Sequence, residues 1–172
     1  GAGTIDPSAM TAEKEATYKS ALSLAVRRGH GVLAAGGSSL DAVEAAVRVL
    51  EDSPLFNAGR GSVFTAEGKH EMDAAVMRGS DLHAGAVAGV QNVRNPVRLA
   101  RLVMEQSGHV LISGRGAFEF AYRHKLPLED DAYFFDQLRH DQWEQVKGST
   151  QVRLDHSTGE KKFGTVGAVA LD

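Results

Sequence analysis

A chain of 172 residues, 42% hydrophobic and 24% charged, holds enough apolar material for one globular domain, which excludes a disordered or collagen-like polypeptide. Its formal charge of −3 provides no electrostatic basis for binding nucleic acid or an anionic membrane surface, and neither partner is expected. Without cysteine it forms no disulfide framework and no thiolate catalyst, and no apolar run approaches the ~20 residues of a membrane-spanning helix.

The chain opens on Gly1 rather than methionine and shows no signal peptide. Its true start is therefore expected elsewhere, and its location is expected to be cytoplasmic, with the periplasm open as an alternative. Gly1-Ala2-Gly3 reads as a tight turn or as backbone that a ligand approaches, and Asp6-Pro7 sustains the turn. Thr11, Lys14 and Glu15 start a helix with the stripe Tyr18, Leu22, Ala25, Val26, Gly29, Val32 and Leu33, which stops at Gly36-Gly37. Ser38 and Asp41 form an S-x-x-D start for a second helix, with Val43, Ala46, Val47 and Leu50 on its buried side. Asp52 to Gly61 is too rich in breakers for regular structure. Neither a following helix pattern nor a lysine supports a phosphate cradle there, whereas a loop of this kind can wrap a hard cation with main-chain oxygens.

From Ser62 the period becomes extended. Val63 to Thr65, a turn at Glu67-Gly68 and His70 to Met77 predict a hairpin, with Met72 and Met77 as core filler. Asp73 within it predicts a half-buried carboxylate in need of a partner, either structural or catalytic. Ala84 to Val90 predicts another strand. Asn95-Pro96 starts a helix that runs to Ser107-Gly108, followed by a short strand at Val110 to Ile112 and a helix around Ala117 to Tyr122 that ends before Pro127. Phe134 to Val146 predicts the last helix, and a polar, charged and protease-accessible linker covers about 148–163.

Thr165 heads a run of small and β-branched residues from Val166 to Leu171, which predicts a strand buried on both faces. Two readings stand for a threonine at that position. In one it is a β-former at a strand edge. In the other it is a nucleophile released by cleavage after Gly164, its own α-amine then serving as base. The seven histidines include no HExxH pair, so a catalytic transition metal is not expected, and G-x-S-x-G is missing around Ser113.

Several stretches together resemble one family. Gly1-Ala2-Gly3, PLFNAGRGSVFT at 54–65, HEMDAAVM at 70–77, AGAVAGV at 84–90, NPVRLARLVMEQSGHVLISGRGAFEFA at 95–121 and GTVGAVALD at 164–172 are similar to isoaspartyl peptidases of the plant-type L-asparaginase group, which are N-terminal-nucleophile hydrolases. The resemblance implies a precursor that cleaves itself between Gly164 and Thr165, with Thr165 as catalytic nucleophile and Asn57 as its neighbour. Residues 1–164 would then be the α-subunit region and 165–172 the first strand of the β subunit. The implied fold is α+β, a four-layer αββα sandwich of which this chain supplies about half. Main-chain carbonyls of Leu50, Glu51, Ser53, Phe56, Ala58 and Arg60 would hold a structural sodium ion, and the chemistry would need no cofactor. The implied partners are the β subunit of the same precursor, a second αβ unit in a dimer, and small substrates, namely isoaspartyl dipeptides and L-asparagine.

The groups that grip substrate in the family, its second catalytic-site threonine and its Thr-Gly oxyanion pair have no counterpart in these residues. The chain alone is therefore expected not to turn over substrate. Glycosylasparaginase, a threonine-type endopeptidase and a non-catalytic truncated or unprocessed fragment stand as the alternative readings.

Overall fold

The computed structural model describes residues 10–147 and 164–172. The expected turn at Gly1 to Pro7 and the linker at 148–163 lie outside the described residues. What is described is a mixed α and β structure with six α-helices and one three-stranded sheet.

Local chemistry accounts for most element boundaries. Helix α1 (Ala12–Ala34) is capped by Thr11, whose hydroxyl accepts from Lys14 N at 3.2 Å. It stops at Gly36, which takes φ +79°. Helix α2 (Ser39–Glu51) opens with the full Ser38/Asp41 capping box. Strand β1 (Met72–Met77) pairs antiparallel with β2 (Ala84–Val90), and β2 pairs parallel with β3 (Leu111–Ser113), giving the order β1-β2-β3. Helices α3 (Pro96–Gln106) and α4 (Gly114–Arg123) pack on this sheet. Between them lies a core of Met72, Val76, Val87, Val90, Leu99, Val103 and Phe120. Short α5 (Asp131–Phe134) and α6 (Gln137–Val146) follow.

Gly85 is what lets α3 settle on β2. A Cβ there would overlap the Ala100 carbonyl oxygen and lie 2.5 Å from Met104 N. Gly85→Ala is therefore expected to destabilise the fold by about 1–3 kcal/mol through overpacking, measured as a lower midpoint in urea. An unchanged midpoint would contradict this packing.

Several expectations are corrected. The hairpin at 63–77 is reduced to one bridge, Phe64 with His70. The turn closes, with Thr65 N donating to Lys69 O at 2.7 Å and the Phe64 ring 4.1 Å from that of His70, but beyond this bridge β1 takes β2 as its partner. The expected helix over 134–146 is broken, because Asp130 caps α5 and Asp136 separately caps α6. Asp73 is exposed and accepts from Gly89 N at 2.8 Å across a bulge, a structural role. Met77 is 59% exposed, since it faces away from the α3 side. Asn95 occupies the N-cap position of α3 without capping it, its amide being engaged elsewhere. Of the α1 stripe only Ala25 and Gly29 are buried, because α1 packs mainly on α2 among the described residues.

The strand expected after Thr165 is not formed among the described residues, and the run is covered on one side only. Val166 and Ala168 pack on the cluster of Ala25, Ala46, Leu50 and Phe56. Val169 and Leu171 are 100% and 90% exposed, and no described element covers their face. Among the described residues no helix is long and apolar enough to cross a membrane.

Candidate active site

Helix α2 ends where Ser53 and Pro54 break it, and the chain coils back through a 3-10 turn at Gly59–Gly61. The coil is tight. Gly59 takes φ +53°, and a Cβ there would overlap the Glu51 carbonyl oxygen. A Cβ at Gly61 would overlap the Phe56 carbonyl oxygen and lie 2.6 Å from Pro54 O. Helix α1 braces the outside: Tyr18 OH donates to Leu55 O at 3.1 Å and its ring meets Phe56 edge-on at 5.6 Å.

This coil presents Asn57. Its Oδ1 accepts from Val63 N and its Nδ2 donates to Gly164 O, both at 3.0 Å. One partner is an N–H and the other a carbonyl, so a single amide orientation satisfies both. At the far end of the same segment Asp172 Oδ2 accepts from Ser39 N at 2.8 Å, and that N–H holds the carboxyl below its ordinary range. Residues 164–172 are thus pinned at both ends to the α2 layer. Residues 164–170 line a cleft of about 1040 Å³ together with Asn57, Ala58 and Glu51 of the loop and residues of β1 and β2. Gly164, Thr165 and Asn57 all line this cleft. An amide N–H on a carbonyl oxygen polarises the carbonyl, and it would stabilise an oxyanion if the carbonyl carbon were attacked.

The six carbonyls read as a cation loop belong to this coil. Those of Glu51, Ser53 and Arg60 accept no hydrogen bond among the described residues. Leu50, Phe56 and Ala58 each accept one from a backbone N–H, at 3.3, 2.8 and 3.1 Å. A second lone pair remains on each. The set is all oxygen and uncharged, which suits a hard monovalent ion. The Arg60 side chain points elsewhere, its guanidinium lying 5.6 Å from the Tyr133 ring centroid. Among the described residues no cluster of His, Asp and Glu could hold a metal through side chains.

Side chains without a motif hold the coil in place. Asp52 Oδ1 accepts from Arg94 Nε at 3.2 Å, Asn95 Nδ2 at 3.2 Å and Tyr133 OH at 3.0 Å. Burial, and then the Asp52 charge, push the Tyr133 phenol up to about 12. Glu51 is 3% exposed, and its Oε1 takes Val97 N at 2.9 Å, doing for α3 what Asn95 does not. Burial raises this carboxyl to about 8. No local pattern marks these partners, which are 42 to 81 residues apart and come together only through the fold.

His70 lies beneath the coil, its Nδ1 3.1 Å from both Ser62 oxygens, and burial lowers its pKa. The unfolded chain therefore binds a proton near pH ~6.5 that the folded chain resists. The stability this gives is present above about pH 6.5 and is lost as pH falls toward the depressed folded value. Thermal midpoints should accordingly drop below about pH 6.5, with a shallower drop in His70→Phe. An acid limb of equal steepness in the variant would contradict this role.

The profile of the asparaginase family matches residues 1–172. The chain is 49% identical over its full length to a protein named isoaspartyl peptidase from Escherichia coli, covering 55% of that relative. It is 42% identical over its full length to an isoaspartyl peptidase/L-asparaginase from Xenopus laevis, covering 53% of it. Over 79% of the chain it is 49% identical to a plant-type L-asparaginase from Pyrococcus abyssi, covering 47% of that protein. The chain spans about half the length of the curated relatives it matches. Its match to the family along the whole chain, and its likeness to these relatives, make it a member of the asparaginase family.

Proposed function

We propose that these residues form the α-subunit region and the first β-subunit strand of a self-processing amidohydrolase acting through Thr165. The observation that carries this reading is the 3.0 Å bond from Asn57 Nδ2 to the carbonyl oxygen of Gly164, the residue directly before the threonine. In the first reaction Thr165 Oγ attacks the Gly164 carbonyl carbon, and negative charge gathers on the oxygen that Asn57 faces. The Gly164–Thr165 C–N bond breaks, the threonine nitrogen leaves with a proton as an α-amine, and an ester joins Gly164 to Oγ. Water hydrolyses that ester, leaving the Gly164 carboxylate and a free Thr165 hydroxyl.

The second reaction repeats the attack on substrate with the freed amine as base, a role the nitrogen cannot fill while it is an amide. Names of the relatives, isoaspartyl peptidase and L-asparaginase, support two substrates. Oγ would attack the side-chain carbonyl of asparagine, releasing ammonia, or the β-linked carbonyl of an isoaspartyl dipeptide, releasing the following residue's amine. Water then frees aspartate from the Thr165 ester. The uncovered face at Val169 and Leu171 supports a complete αββα sandwich that the β subunit finishes, and a dimer of αβ units is part of the same proposal. The processed full-length protein should release aspartate from both substrates. Release from neither would contradict the reading.

A sodium ion fits the oxygen set of the coil and would be held by the main-chain carbonyls of Leu50, Glu51, Ser53, Phe56, Ala58 and Arg60. Its contribution would be neutralising those dipoles, leaving Asn57 fixed in orientation. Exchanging sodium for choline should lower the thermal midpoint by about 2–4 °C for each kcal/mol of binding energy lost. An identical midpoint in both salts would contradict sodium binding.

A further inference from the structure

Asn57 can serve as an oxyanion donor only while Val63 N holds its Oδ1, so whatever fixes residues 61–64 controls the donor. Helix α6 grips that stretch on both sides of Val63. On one side Arg139 Nε donates to Gly61 O at 3.2 Å. Its guanidinium is steadied by Nη1 donating to Gln142 Oε1, also at 3.2 Å. On the other side the Phe64 ring lies 5.9 Å from Trp143 and 5.8 Å edge-on from His140. Gly61 itself is buried, with the Phe56 and Pro54 carbonyl oxygens leaving no room for a Cβ, and Arg139 holds its carbonyl oxygen. Asp136 caps α6 by accepting from Arg139 N at 3.1 Å, which fixes where the arginine starts.

We infer that Arg139 is a positioning residue for cleavage of the Gly164–Thr165 bond, acting through the Gly61–Val63 backbone on the Asn57 amide; this rests on the self-processing reading above. Arg139 is bonded to neither Gly164 nor Thr165 and takes no part in bond making. Without it, the Val63 N–H is free to swing away from Oδ1, and the Asn57 amide rotates out of line with the Gly164 oxygen for much of the time. A misplacement of this kind costs less than deleting the donor, on the order of tenfold to a hundredfold in rate.

The test follows conversion of the full-length precursor by denaturing mass spectrometry. Arg139→Ala should cleave on the order of tenfold to a hundredfold more slowly than wild type. Arg139→Lys, which keeps a donor, should recover most of the rate. In an Asn57→Ala background Arg139→Ala should add no further loss, because the two act as one unit. Should Arg139→Ala fail to fold, Arg139→Met keeps the aliphatic stem and carries the same expectation. Equal rates in wild type and variant, no rescue by lysine, or an additive loss in the double variant would each overturn the inference. A wild-type chain that never splits after Gly164 would instead overturn the self-processing reading, and is told apart by the wild-type sample alone.

Discussion

Thr165→Ala protein is expected to remain a single uncleaved polypeptide under conditions in which the wild type splits completely. The hydroxyl is the attacking atom in both proposed reactions, and alanine offers none. What remains is uncatalysed hydrolysis of a peptide bond, slower by on the order of 10⁶-fold or more. The loss should not come from unfolding, because Thr165 is exposed and the side-chain and backbone contacts that hold the segment belong to Gly164, Val166, Ala168 and Asp172. Thr165→Ser keeps a hydroxyl and should still cleave, more slowly, since serine lacks the β-methyl that restricts χ1. Cleavage of Thr165→Ala at the same bond would show that another group attacks.

Asn57 carries the second large effect. Asn57→Ala removes the donor facing Gly164 O and should slow self-cleavage by on the order of 10²–10³-fold, the usual cost of one oxyanion donor. It also leaves Val63 N without its acceptor, at about 1–3 kcal/mol of stability. Asn57→Asp separates these two consequences. Its carboxylate still accepts from Val63 N, so the loop should hold, while an oxygen replaces the N–H at the Gly164 carbonyl. Stability close to wild type with cleavage as slow as in Asn57→Ala is the expected outcome, read by urea denaturation and a conversion time course. Wild-type cleavage by Asn57→Asp would remove Asn57 from the mechanism.

These effects depend on side chains whose roles differ in how far local sequence reveals them. The Ser38/Asp41 box, the Gly36 stop and the proline opening α3 act over a few residues and are readable as written. The hairpin at 63–77 is shorter than expected because an alternating pattern marks a strand without naming its partner. Phe64 and His70 stay bridged with their rings 4.1 Å apart, while Met72 to Met77 pair with Ala84 to Val90 instead. The terminal run was expected to be buried on both faces because its composition is that of a covered strand. Composition does not say which elements do the covering, and the described residues cover only the Val166 and Ala168 side.

The site divides in the same way. Thr165 and Asn57 are conspicuous through the family resemblance of GTVGAVALD and PLFNAGRG, and the structure brings Asn57 to the Gly164 carbonyl. The Asp52, Arg94 and Tyr133 hub and the Arg139 clamp lie in no motif. Their partners are separated by 42, 81 and 78 residues, so only packing of α5, α6 and the start of α3 around the coil creates them. Glu51 is a further case. The family resemblance counts it among main-chain ligands, while its buried carboxyl also caps α3.

Intact-mass spectrometry of the freshly purified full-length protein under denaturing conditions tests the central claim most directly. Self-processing through Thr165 predicts two polypeptides, one ending at Gly164 and one beginning at Thr165, whose masses sum to that of the precursor plus one water. A single species that keeps the precursor mass on prolonged incubation, or a pair divided at any other bond, would contradict it.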